Sequence, residues 1–141
     1  MTVIVDTDAL IGLVDIGDAL SARSNHVAHL LEEQRATIII LPTTLSEFAL
    51  VASNKIGMAA TKQTVEQIMR SYVGADITQD LVMQATDLYY QQTTKKNSLF
   101  DCFVMVGTKQ SHADCIFSFD RGYKQNGFVL IEDFFAQRAG K

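Results

Sequence analysis

The sequence predicts an α/β fold of three layers, α/β/α, in which a central, mainly parallel sheet lies between helices. Short apolar runs typical of strands alternate along the chain with longer segments whose apolar residues recur at helical spacing. The strand-like runs are almost entirely apolar, as strands are when helices cover both faces of a parallel sheet. These two observations define the fold class before any single residue is considered.

The first third of the chain illustrates the alternation. Thr2–Val5 is a short apolar strand, and Asp8 is placed to cap a helix of about 9–15. A second helix, about 18–34, carries apolar residues at i, i+3 and i+4 spacing. The β-branched run 37–41 then predicts a strand that is buried on both faces.

Turn and cap signals divide the rest of the chain in the same way. Pro42, Gly57 and Gly74 interrupt regular structure, and Thr78 and Ser98 are typical helix N-caps. These signals predict helices from Thr43 or Thr44 to 53–54 and over 58–72, 79–92 and 99–111, strands at 115–119 and 128–131, a helix from about 133, and at 75–77 a short strand or an extended link.

Length and composition predict a single domain over residues 1–141, located in the cytoplasm. The chain has 141 residues, 48% of them hydrophobic, and one proline, which argues against disorder. No apolar run approaches the roughly 20 residues that span a bilayer, and the first residues lack the pattern of a signal peptide. A net charge of -4 argues against nucleic-acid binding by bulk positive charge. It leaves open an enzyme that holds phosphates through bound metal and a few local cations.

The cysteines and histidines do not suggest a metal site. Cys102 and Cys115 lie in apolar segments, which predicts buried, reduced thiols, with a disulfide as the less favoured alternative. His26, His29 and His112 are not spaced as a ligand set.

Four acidic residues adjoin strongly apolar segments: Asp6, Glu47, Asp101 and Asp120. A carboxylate near a core is destabilising or changes its pKa unless a cation neutralises it. Two of the four end predicted strands and two lie early in predicted helices, so all four can converge beyond the carboxyl edge of the sheet. Mg²⁺ or Mn²⁺ would neutralise such a cluster, because both ions favour carboxylate oxygens. The sequence therefore predicts a metal-dependent enzyme, in which two metal ions could activate water for phosphodiester cleavage.

Each acid also has a structural interpretation, which stays open from the sequence alone. Asp6 can help to cap the first helix. Glu47 can close a capping box with Thr44, and Asp120 stands in a turn signature. Asp101 has the weakest such interpretation, a favourable place in the first turn of a helix.

Four segments resemble the motifs of a known family, the PIN-domain (PilT N-terminal) ribonucleases: 3–11, 41–47, 98–102 and 113–123. The resemblance covers nearly the whole chain in the correct order. It implies a PIN-like fold and a Mg²⁺- or Mn²⁺-dependent cut in RNA, with Asp6, Glu47, Asp101 and Asp120 as the acidic quartet. Small members of this kind are often VapC-like toxins that form homodimers and are blocked by a cognate antitoxin.

The match to the family's pattern is incomplete at two places. Position 8 is Asp where the family usually has Asn, and Arg121 and Gly122 stand where another acid often follows the fourth one. The resemblance also implies outer-shell roles around the metal for Thr7 and Ser118, beside Asp8, although either hydroxyl can instead serve a local hydrogen bond.

Four cations near the predicted site are candidate RNA contacts: Lys95, Lys96, Arg121 and Lys124. Each could hold a phosphate as a point charge. Ordinary solvated loop charges are the alternative interpretation at each position.

Two other functions remain open. Asp6-Thr7-Asp8 directly after a strand is also the pattern of haloacid-dehalogenase-type phosphatases, with Asp6 as nucleophile and Asp8 as general acid, although Leu10 does not fit that family. The third hypothesis is a degenerate PIN module that binds RNA or a protein without cleaving it.

Overall fold

The computed structural model describes residues 1–72 and 75–141, and in these ranges it contains a three-stranded parallel sheet and eight helices. The elements are β1 (Thr2–Val5), α1 (Thr7–Val14), α2 (Ser21–Glu33), β2 (Thr37–Ile39), α3 (Pro42–Lys55), α4 (Met58–Ser71), α5 (Gln79–Tyr90), α6 (Leu99–Gln110), β3 (Cys115–Phe117), α7 (Gly122–Gln125) and α8 (Ile131–Ala139).

The strand β1 lies at the centre of the sheet, which has the order β2-β1-β3. Val3 pairs with Ile38 on one side and with Cys115 on the other, and both pairings are parallel. The three strands therefore end at the same edge of the sheet. Loops that follow them are brought together there, although they lie far apart in sequence.

Helices cover both faces of the sheet, which confirms the predicted three-layer architecture. Val3 and Val5 belong to the core on the side of α1, α2 and α8, whereas Ile4 between them belongs to the core on the side of α5 and α6. All three side chains are at most 3% exposed. Burial of each stabilises the fold by roughly 1.5–3 kcal/mol, which explains why the strand is apolar at consecutive positions.

Three predicted strands are shorter than expected, and the one predicted over 115–119 ends at Phe117. The strand predicted over 37–41 ends at Ile39, because Leu41 already serves as the N-cap of α3 and Pro42 takes its first helical position, where proline fits best. The strand predicted over 128–131 is reduced to one parallel bridge between Leu130 and Ile116. Ile131 is fully buried but already belongs to α8, two residues before the predicted start.

The helix starts show which local signals were decisive. Thr78 and Ser98 cap α5 and α6 as predicted. Asp6, not Asp8, is the N-cap of α1, and α2 begins at Ser21, because Asp18 instead closes a turn by accepting from the Leu20 N–H.

Three further expectations concern the middle and the end of the chain. Residues 75–77 form neither strand nor helix, as expected for an extended link. The helix break predicted at Gly74 lies outside the described residues. The turn predicted at Asp120 is present and leads directly into the short helix α7.

Both cysteines are buried, free thiols, which confirms the prediction of reduced cysteines. Burial raises the pKa of Cys102 to about 11 and that of Cys115 to about 12. Within 1–72 and 75–141, no helix combines the length and the apolar character needed to cross a membrane.

The contact between α1 and α2 is close enough to require glycine at position 12. A Cβ there would lie 2.2 Å from Ser24 Oγ and 3.2 Å from the Leu20 carbonyl oxygen. The Ser24 hydroxyl is buried and has no hydrogen-bond partner among the described residues.

We therefore expect Gly12→Ala to lower the free energy of unfolding by about 1–3 kcal/mol, because the added methyl group forces the two helices apart. Urea denaturation measures this loss. Ser24→Ala alone should change stability little, since it removes a hydroxyl without a partner, and combined with Gly12→Ala it should restore part of the loss. Equal stability of Gly12→Ala and the parent chain would contradict the close packing.

Candidate active site

A cleft of about 350 Å³ opens at the carboxyl edge of the sheet, and the structure brings all four predicted acids onto its wall. Its lining comprises Asp6, Thr7, Asp8, Ile11, Asp18, Leu20, Glu47, Val51, Lys55, Asp101 and Asp120. A larger cavity of about 490 Å³ lies between the sheet and α2, with mostly apolar walls. The acidic chemistry is concentrated in the smaller cleft.

Asp6 is the most deeply buried of the four carboxyl groups, with 6% of the residue exposed. As the N-cap of α1 it accepts from the Thr7 N–H at 2.7 Å, and its second oxygen accepts from the Tyr123 hydroxyl at 2.6 Å. Burial, followed by the charge of Asp8, raises the pKa of Asp6 from the ordinary 3.8 to about 7. The predicted capping role is therefore real, and the carboxyl group still faces the cleft.

Tyr123 links two of the acids and was given no role from the sequence. Its side chain is 1% exposed, and its hydroxyl lies 2.6 Å from Asp6 Oδ2 and 3.3 Å from Asp101 Oδ1. Burial and the neighbouring carboxylates raise the pKa of Tyr123 far above its ordinary value, so the hydroxyl keeps its proton as a donor. A buried tyrosine requires a partner for its hydroxyl, but the sequence did not show which one.

Glu47 faces the cleft from α3 and does not form the capping box considered for it. That helix begins at Pro42, so Glu47 is its sixth residue and lies beyond the first turn. Its carboxylate accepts a hydrogen bond from the Thr7 hydroxyl instead. Burial is the main cause that raises the pKa of Glu47, and the charges of Asp101 and Asp8 add to it.

Asp101 is the acid that does close a capping box, contrary to its weak structural interpretation from the sequence. The Ser98 N–H donates to Asp101 Oδ2 at 2.7 Å, and the Asp101 N–H donates to Ser98 Oγ at 3.3 Å. Its other oxygen is the one near Tyr123. Partial burial raises the pKa of Asp101, and the charge of Asp120 acts in the same direction.

Asp120 is exposed and lies in the turn that leads into α7. Its Oδ1 accepts from the Gly122 N–H at 2.8 Å, which agrees with the turn role considered from the sequence. Gly122 is needed here because a Cβ would lie 2.5 Å from Asn97 Oδ1 and 3.1 Å from Asp120 Oδ1. The absence of an acid at position 122 thus has a steric reason.

Asp8, in the first turn of α1, connects this helix to the loop that follows β3. One oxygen accepts from the Ala9 N–H at 2.7 Å and the other from the Phe119 N–H at 2.8 Å. An amide side chain has a single acceptor oxygen and could not serve both N–H groups in this way. This explains why Asp suits position 8, although burial raises its pKa.

The four cations predicted to contact RNA do not line the cleft. Lys95 and Lys96 are exposed in the loop before α6, Arg121 is exposed beside α7, and Lys124 forms an ion pair with Asp133 at 2.8 Å. Among the described residues, Lys55 is the one Lys or Arg on the cleft wall.

The carboxyl groups repel one another and their chemistry fits a hard divalent cation. The pKa values of Asp6, Asp8, Glu47 and Asp101 are all raised, first by burial and then by neighbouring carboxylates. Among the described residues, no three Asp, Glu, His or Cys side chains are grouped closely enough to hold one ion as they stand. This still fits Mg²⁺, which keeps several waters and commonly takes only one or two carboxylates from the protein.

The fold and the cleft define a class of protein. It is a parallel α/β/α domain with an acidic cleft at the carboxyl edge of its sheet. The PIN domain family model matches residues 3–129, and the chain therefore belongs to the PIN domain family. Among solved structures, the chain is similar to Mycobacterium tuberculosis VapC20, a toxin that cleaves the sarcin–ricin loop. The TM-score is 0.79 at 19% identity, over 90% of this chain and 96% of that one. A search of the curated proteins found no significant match.

The raised pKa of Asp6 predicts a pH dependence of stability in the absence of metal. Between about pH 4 and 7 the folded chain binds a proton at Asp6 that the unfolded chain, with a pKa near 3.8, has released. The free energy of unfolding must therefore fall as pH rises through this window. Asp6→Asn keeps an N-cap oxygen but carries no charge, so it should flatten the slope and raise the melting temperature at pH 8.

Thermal unfolding of both chains in EDTA at pH 5 and pH 8 measures the effect. Asp87→Asn, an exposed change outside the cleft, serves as the matched control and should keep the parent slope. If Asp6→Asn and the parent chain showed the same pH dependence of stability, the raised pKa of Asp6 would not be its cause.

Tyr123→Phe should raise the pKa of Asp6 further, because it removes the hydrogen bond that favours the carboxylate and keeps the packing of the ring. A carbon-13 NMR titration of the Asp6 carboxyl group in EDTA gives this value directly. Tyr90→Phe, at a residue that is 77% exposed, is the control and should leave the titration unchanged. A lower or unaltered pKa of Asp6 in Tyr123→Phe would show that the hydroxyl does not support this carboxylate.

Proposed function

We propose that this protein is a metal-dependent endoribonuclease that cleaves phosphodiester bonds in RNA, with residues 1–141 acting as one domain in the cytoplasm. The observation that carries the proposal is the common cleft of Asp6, Glu47, Asp101 and Asp120, four acids from four separate segments. Membership in the PIN domain family supports the nuclease class. The uncompensated repulsion among the carboxyl groups supports the requirement for a cation.

In this proposal Asp6, Asp101, Glu47 and Asp120 hold Mg²⁺ or Mn²⁺. The ion would supply Lewis acidity for the phosphate and for the attacking water. The surrounding residues hold the carboxylates in place: Tyr123 donates to Asp6 and approaches Asp101, and Thr7 donates to Glu47. Asp8 and Ser118 act behind them by fixing the loop that carries Asp120.

We further propose that the chain is the toxin of a toxin–antitoxin pair and acts as a homodimer. VapC20, with the same fold, is itself an RNA-cleaving toxin. Large apolar side chains on α3 and α4 are exposed and would supply a dimer interface, with Leu50 at 66%, Met58 at 60% and Met69 at 67%. The cognate antitoxin would be a second protein that blocks the cleft.

The phosphatase alternative is less favoured than the nuclease. It gives no role to Glu47 and Asp101, which share the cleft, whereas the PIN domain family model matches residues 3–129. Both oxygens of Asp8, its general acid, accept from backbone N–H groups.

Asp101→Asn should reduce cleavage of single-stranded RNA by at least about 100-fold, because it removes one negative ligand without removing the helix cap. An Asn oxygen can still accept from the Ser98 N–H, so the melting temperature should stay close to that of the parent chain. EDTA should abolish cleavage by the parent chain, and added Mg²⁺ or Mn²⁺ should restore it. The assay follows a fluorescently labelled oligonucleotide.

Asp87→Asn, on the exposed face of α5, is the control for the loss of one negative charge and should cleave normally. Full activity of Asp101→Asn, or parent activity that persists in EDTA, would contradict the proposed function. RNA binding without cleavage by the parent chain at any Mg²⁺ or Mn²⁺ concentration would instead identify a degenerate binding module.

A further inference from the structure

The cleft contains a cation whose position suggests a specific contact with substrate. Lys55 is in the last turn of α3 and lies on the cleft wall with the carboxylates. Glu47, Val51 and Lys55 are spaced at i, i+4 and i+8, so one face of α3 runs along the cleft from the acidic cluster to the lysine. At 1.5 Å per residue, Lys55 is about 12 Å along the helix from Glu47.

The ammonium group of Lys55 is held near the mouth of the cleft and remains accessible. Its Nζ lies 3.5 Å from Asp18 Oδ2, and the side chain is 44% exposed. Asp18 is anchored in turn, because its Oδ1 accepts from the Leu20 N–H at 2.9 Å and its side chain is 15% exposed. An ammonium group has three N–H donors, so the pair with Asp18 leaves donors for a second anion.

The cleft is acidic, so a polyanion such as RNA needs a cationic contact to bind there. Six carboxyl groups line the same wall, and they repel a phosphodiester chain wherever no cation neutralises them. Lys55 is the one Lys or Arg on this wall among residues 1–72 and 75–141. The cations expected to bind RNA from the sequence lie elsewhere.

The geometry points to Lys55 as the anchor for a backbone phosphate of single-stranded RNA, next to but distinct from the scissile phosphate. The inference rests on the proposed nuclease function and adds to it the place where the flanking strand is held. The separation from Glu47 keeps Lys55 away from the reacting atoms, so it acts on substrate binding and not on the chemical step.

The test compares steady-state cleavage of one labelled single-stranded oligonucleotide by four variants. Lys55→Gln should raise KM roughly tenfold, as expected for the loss of one charged hydrogen bond, with kcat within about twofold of the parent value. Lys55→Arg should recover most of the affinity, because it keeps the charge. Lys109→Gln, in the last turn of α6 and outside the cleft, is the matched control and should behave like the parent chain.

Asp18→Asn separates a phosphate contact from a purely structural ion pair. This variant removes the negative partner of the Lys55–Asp18 ion pair. It keeps an oxygen for the Leu20 N–H and leaves the lysine in place. A phosphate contact predicts no rise in KM for Asp18→Asn. A structural role of the pair predicts equal losses in Lys55→Gln and Asp18→Asn, and that result would overturn the inference.

Binding measured without cleavage provides an independent readout. In the Asp101→Asn background, fluorescence anisotropy gives the slope of log K against log salt concentration. Lys55→Gln should make this slope shallower by about 0.7, the contribution of one phosphate contact on a single strand. An unchanged slope and KM would overturn the Lys55 contact while the nuclease function stands. A parent chain that neither binds nor cuts RNA would overturn both.

Discussion

The position of Asp6 at the junction of β1 and α1 is the constraint on which the site depends. Asp6 directly follows the central strand, and its carboxyl group caps α1 and borders the cleft. The fold itself therefore holds this group inside the protein. An isolated buried charge there would be strongly unfavourable. Proton uptake, the Tyr123 hydroxyl and a bound cation are three ways to reduce this cost, and the first two are visible in the raised pKa and the 2.6 Å contact.

The acids show that a structural role and a place in a functional site are compatible. Asp6 caps α1 and Asp101 closes the capping box of α6, and these hydrogen bonds fix the orientation of carboxyl groups that border the cleft. Glu47 has no such backbone partner and is oriented by a threonine from another element. A capping signature in the sequence is therefore weak evidence against function, because a side chain that takes part in a helix cap can also line the cleft.

How well each feature could be predicted from the sequence depended on how far apart in sequence the interacting residues are. The apolar strand Thr2–Val5 and the caps at Thr78 and Ser98 could be read from neighbouring residues, because the determining contacts are local. The convergence of Asp6 and Asp120 on one cleft also followed from parallel strands that end at one edge. These features account for most of the fold and for the acids of the cleft.

The rest depended on contacts between distant segments. The Tyr123 hydroxyl meets Asp6 across 117 positions, and no local pattern indicates that partner. Leu130 was predicted to lie in a strand over 128–131. In the structure it makes one parallel bridge, and helix α8 begins at the next residue. Lys55 was given no role from the sequence; it lies in the last turn of α3, and the direction of α3 along the cleft places it on the cleft wall.

The register of the sheet has a consequence for the synthesis of the protein. The central strand finds one partner in β2, but Val3 also pairs with Cys115, a second partner that leaves the ribosome about 110 residues later. Asp120 and Tyr123 emerge later still. A nascent chain therefore carries the N-terminal acids in an incomplete cleft until these two residues have emerged. Whatever chemistry the finished cleft performs is withheld from the ribosome until then.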